Sequence, residues 1–90
     1  MKGLTELVPV EKIDWSYFDS TDKEELLGYE ERVGEGLRTS DEFILNPGLD
    51  ANEAHDVSVY FSQRGFKIKS ITENEITYSL SITRGDSQNA

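Results

Sequence analysis

Ninety residues at 10.2 kDa, 36% hydrophobic and 30% charged, suffice for one small core. A formal charge of −9 and a pI near 4.4 argue against direct binding to nucleic acid or to an anionic membrane surface. With no cysteine there is no disulfide framework, thiol nucleophile or Cys-ligated zinc, and apolar runs such as Phe43-Ile44-Leu45 are too short to span a bilayer, so a cytoplasmic protein is expected.

The N-terminal stretch to Phe18 reads two ways. Ile13, Trp15 and Tyr17 alternate like a strand, while Pro9-Val10-Glu11-Lys12-Ile13 fits the start of a helical turn. Residues 21–33 are predicted as a helix, with Thr21 and Glu24 as a capping box and Leu26, Tyr29 and Val33 on one face. Gly34 is the expected stop, and the rival reading is a hairpin turning at Gly34-Glu35-Gly36. Residues 37–45 read as a strand with Leu37, Phe43 and Leu45 in phase, and Pro47-Gly48 as a turn.

The strongest helical pattern is 51–64. Asp50 and Glu53 make a capping box, Ala54, Val57, Tyr60 and Phe61 share one arc, and Gly65 stands where a left-handed stop is wanted. Phe66 would then touch Phe61 across the stop. Beyond it, Phe66 and Ile68 alternate with lysines, and Ile76, Tyr78, Leu80 and Ile82 alternate with hydroxyl residues through 83. Cross-strand partners share a face, so a three-residue loop Glu73-Asn74-Glu75 is predicted, pairing Phe66–Ile82, Ile68–Leu80 and Ser70–Tyr78. An even loop would need a bulge. The outer face, with Lys67, Lys69 and the hydroxyls, should be wet. Together these elements predict a single α+β domain over 1–84, with an antiparallel sheet of three to four strands and two helices packed on one face. Residues 85–90, without an apolar residue to bury until Ala90, are expected to be a disordered tail. A core this thin makes a homodimer unsurprising.

Little in the sequence points to catalysis. The single histidine, His55, falls roughly 120° around its helix from Phe61 and should be exposed beside Ser58 and Ser62. Asp50–His55 starts like a calcium loop but puts Ala54, His55 and Phe61 where ligand, glycine and closing glutamate belong. Gly34-Glu35-Gly36 lacks the third glycine and the lysine of a phosphate loop. No catalytic, metal or cofactor site is expected, and no enzymatic activity.

The charge is uneven. Residues 1–63 hold fifteen Asp and Glu against five Lys and Arg, while 64–90 hold three against four. If the second helix runs on, Asp22, Glu24, Glu25, Glu30, Glu31 and Glu35 occupy about 20 Å of axis, close to the ~3.4 Å per phosphate of a DNA strand. Asp14, Asp19, Asp41 and Glu42 flank them, and Trp15, with Tyr17 and Phe18, has the makeup of an aromatic anchor. The expectation is an acidic interaction module that mimics DNA and blocks the DNA-binding surface of a basic, nucleoid-type protein. By composition alone this is analogous to small acidic inhibitors encoded by phages and mobile elements. The alternative is a small structural or assembly subunit, a homo-oligomer whose charge only confers solubility.

Overall fold

A computed structural model describes residues 8–84. Two short 3-10 turns, Val10–Lys12 and Trp15–Tyr17, lead into helix α1 (Lys23–Leu37). Strand β1 (Glu42–Leu49), helix α2 (Ala51–Arg64), strand β2 (Lys67–Glu73) and strand β3 (Tyr78–Thr83) follow. The sheet has order β1-β3-β2, and both outer strands run antiparallel to β3. This is the expected α+β fold, with three strands; α1 packs over β1 and α2 over β2 and β3.

Helix α2 forms where the sequence places it. The Asp50 carboxylate accepts the Glu53 N–H at 2.8 Å, and the Glu53 carboxylate accepts the Asp50 N–H at 3.0 Å. At the other end Gly65 takes φ +113°, its N–H donates to Ser62 and the Phe66 N–H to Phe61. These are the paired bonds of a Schellman stop, sealed by an edge contact of the Phe61 and Phe66 rings at 5.3 Å. Val57, Tyr60 and Phe61 are fully buried, against Leu45, Leu49, Leu80 and Ile82 from the sheet.

Helix α1 departs from expectation at both ends. Its cap is Asp22, whose N–H donates to Glu25 at 3.4 Å, rather than Thr21 with Glu24. Thr21 instead turns inward and is buried. The helix also runs through Gly34 to Leu37, because Leu26, Val33 and Leu37 continue one buried stripe. Burying Leu37 outweighs the roughly 1 kcal/mol that each glycine costs a helix. Gly36 has a further reason to be there: a Cβ would overlap the Phe43 ring, which lies against the helix at this point. Leu37 therefore ends α1, and β1 begins only at Glu42.

Pro47-Gly48 is not a turn between elements but a break inside β1. Pairing jumps from Leu45↔Leu80 to Leu49↔Tyr78, so three residues oppose Ser79 alone. Pro47 has no N–H for the ladder, and Gly48 adopts φ +93°.

The β2–β3 register also differs from the predicted one. Glu73 pairs with Tyr78 around a four-residue turn closed by the Asn74 N–H on the Thr77 carbonyl at 2.7 Å. An even loop puts odd residues opposite even ones, so Ile71 faces Leu80. A bulge at Lys69 then restores Ile68↔Ile82. Ile76, expected in the core sheet, sits in the turn and is 84% exposed. Ser79 and Ser81 on the outer face are buried rather than wet, because β3 is the central strand and is flanked on both sides. Residues 8–18 yield neither a strand nor a full helix, and Ile13 is the one buried side chain among them. The expected tail 85–90 lies outside the described residues.

Candidate partner-binding face

The helical period sorts the acids of α1 into three groups. Glu24, Glu31 and Glu35 fall within about 40° of each other, diametrically opposite the buried stripe of Leu26, Val33 and Leu37. All three are exposed. Their spacing along the axis is about 10 Å and then about 6 Å, wider than the even phosphate-like ladder expected. Glu25 lies to one side beside Arg32, where its carboxylate accepts the Tyr29 hydroxyl at 3.3 Å. Burial, and then this carboxylate, push the Tyr29 hydroxyl above its ordinary pKa. Lys23 and Arg38 border the stripe, and Arg38 comes within 3.5 Å of Glu35.

Glu30 belongs to the interior. It sits one turn beyond Leu26, within the arc of the core, and its carboxylate accepts the Arg64 Nε–H at 3.0 and 3.1 Å. The Arg64 Nη2 group and the Tyr60 hydroxyl also donate to it. Arg64 further donates to the Val8 carbonyl, while the Val8 N–H returns a bond to the Arg64 carbonyl at 2.8 Å. With side-chain exposures of 12% and 14%, this pair is largely desolvated. Burial foremost, and then Glu30, raise the Tyr60 hydroxyl far above its ordinary pKa, and the Glu30 carboxylate raises Arg64. A carboxylate so engaged has little capacity left for a partner.

Glu42 lies on the outer face of the sheet, opposite Thr83. It accepts the Ser81 hydroxyl at 2.6 Å and the Lys69 ammonium at 3.0 Å, which hold it below the usual glutamate range. The structure therefore does not bring Glu42 together with the α1 acids. Asp14 caps the second 3-10 turn, where the Ser16 hydroxyl at 2.6 Å and the Ser16 N–H lower its pKa. Asp19, Asp22 and Asp41 are exposed, the first two leading into α1 and the last following it.

Trp15 is half-buried, stacked on Tyr60 at 5.6 Å with Phe18 edge-on at 5.7 Å, and the Lys23 ammonium lies 5.1 Å from its ring centre. It is chiefly a wall of the core. The aromatic that faces solvent is Tyr17, 62% exposed, which the sequence had grouped with Trp15 without singling it out. Leu27 and Gly28 were also missed: with Glu24, Glu30 and Glu31 they line an open concavity on α1. The missing side chain at Gly28, in the middle of the helix, is the signal for that hollow.

His55 is exposed and its carbonyl accepts the Ser58 hydroxyl at 2.9 Å. Among the described residues no group of three or more His, Asp or Glu is placed to hold a metal ion, and no helix is long and apolar enough to cross a membrane. Neither a protein-family model, nor a curated protein, nor a solved structure matches this chain.

Proposed function

We propose that the protein is an acidic interaction module that binds the DNA-contacting surface of a basic protein of the nucleoid type inside the cell, and so excludes DNA from it. The observation that carries this reading is the exposed stripe of Glu24, Glu31 and Glu35 on α1, turned directly away from the core. Asp19, Asp22, Glu25 and Asp41 add exposed charge around it. Because the spacing is uneven and Lys23, Arg32 and Arg38 lie alongside, the mimicry is of a negative surface rather than of each phosphate in turn. Long-range attraction to a basic groove speeds encounter, and the hollow at Leu27 and Gly28, with exposed Tyr17, offers apolar contact. On this reading the module carries out no catalytic step and uses no cofactor.

The test is affinity capture from nuclease-treated lysate, followed by DNA competition on whatever is retained. A basic protein that loses its DNA when the module binds supports the reading. Recovery of no basic protein, or of one that keeps its DNA in the complex, leaves the structural-subunit reading in its place.

A further inference from the structure

The two free edges of the sheet are not alike. On β1 the ladder is interrupted by Pro47 and the positive φ of Gly48, devices that discourage a further strand from pairing there. On β2 the irregularity comes early, at Lys69, and Ser70–Glu73 then runs straight. Every residue of β2 except Ile68 is exposed. Ile71 is 49% exposed although it faces the fully buried Leu80 across the ladder, and Ile76 in the adjoining turn is more exposed still. An open, straight edge bearing an exposed isoleucine is a strand-pairing surface.

Charge decides what pairs with it. Residues 1–63 carry the whole negative excess, so most approaches of two copies are repulsive. The β2–β3 region is the exception, and its charges are graded along the strand. Lys67 and Lys69 stand at the start of β2, Glu73 at its end and Glu75 in the turn beyond. An antiparallel copy of the same edge lays each basic end along the other's acidic end, and two-fold symmetry forms every such contact twice. We propose that β2 pairs with β2 of a second copy about Ile71, joining two three-stranded sheets into one of six strands. In this register Ile71 meets the partner's Ile71, and the bulge, which sets Lys69 and Ser70 together opposite one residue, brings Glu73 to the partner's Ile68 and the Asn74-Glu75 turn to the partner's Lys67. Lys69 is turned to Glu42 on the outer face of its own sheet, so the contact with the partner falls to Lys67. Helix α1 packs on β1 at the far edge, so each copy keeps its acidic face outward. The dimer does not depend on the function proposed for that face.

Sedimentation across a concentration series, with cysteine trapping, tests this. The wild type should pass from 10.2 kDa to twice that mass with rising concentration. Lys67→Glu should weaken the dimer about tenfold, by setting like charges at the partner's Glu75 twice, and adding Glu75→Lys should restore it. In a chain without native cysteine, Ile71→Cys should oxidise to a covalent dimer, whereas Ile44→Cys on the outer sheet face should not. A wild type that stays monomeric at high concentration would overturn the proposal. So would a dimer indifferent to both charge variants, or equal cross-linking at positions 44 and 71.

Discussion

Arg64, the last residue of α2, grips the Glu30 carboxylate in the middle of α1 through both its Nε and Nη2 groups. The same guanidinium holds the Val8 carbonyl, so one side chain ties two helices and the N-terminal segment together. Removing one member of such a pair leaves the other charge buried and unpaired. Arg64→Ala should therefore lower stability by about 3 kcal/mol in urea unfolding, and Glu30→Gln by somewhat less. Replacing both by apolar residues of similar volume should cost less than the two single losses added together. Additive losses would mean the pair is not coupled as its geometry indicates.

Phe61 is fully buried at the crossing of α2 with the sheet and touches Tyr60 and Phe66 edge-on. Phe61→Ala should cost roughly 3–5 kcal/mol, enough to unfold a domain of this size. The loss of its thermal transition is the readout.

The glycines of α1 give opposite predictions from one residue type. Nothing lies within 4 Å of a Cβ at Gly28 or Gly34, so alanine at either should raise stability by about 0.5–1 kcal/mol. At Gly36 the Phe43 ring occupies that space, and Gly36→Ala should destabilise. Thermal midpoints of the three variants, side by side, decide it.

Local signals were legible in the sequence and long-range ones were not. Helix α2 is legible because its cap, apolar arc and stop lie within seventeen residues of each other. At α1 two overlapping capping boxes, Thr21 with Glu24 and Asp22 with Glu25, fit equally well; burial of Thr21, a tertiary fact, chose between them. The hairpin register failed because the bulge at Lys69 carries no glycine to announce it. Among the acids, Glu30 was separable in principle, since it lies one turn from Leu26 in the buried arc. Its counter-ion stands 34 residues away and gave no local warning.

Glu42 supplies the pH prediction. Hydrogen bonds from Ser81 and Lys69 hold it below the ordinary glutamate value of 4.5 in the folded state. The unfolded chain therefore takes up the proton first as pH falls, so this contribution is complete above 4.5 and is lost on moving down through the lower folded value. The gap in urea midpoint between wild type and Glu42→Gln should be present at pH 7 and narrow progressively as the pH falls below 4.5. A gap that persists unchanged in acid would show that Glu42 acts through packing and not charge.

The acidic face is tested most directly by displacement of a labelled DNA duplex from the basic protein retained by the module. The wild type should release the duplex without binding it, and release should weaken steeply with salt, as charges at the contact are screened over about 8–10 Å at ordinary ionic strength. The triple reversal Glu24→Lys, Glu31→Lys, Glu35→Lys should slow association, whereas Tyr17→Ala should mainly hasten dissociation. The account predicts that the folded triple variant leaves the duplex bound. Displacement by that variant as effective as the wild type's, or a stable complex of module, partner and DNA together, would contradict it.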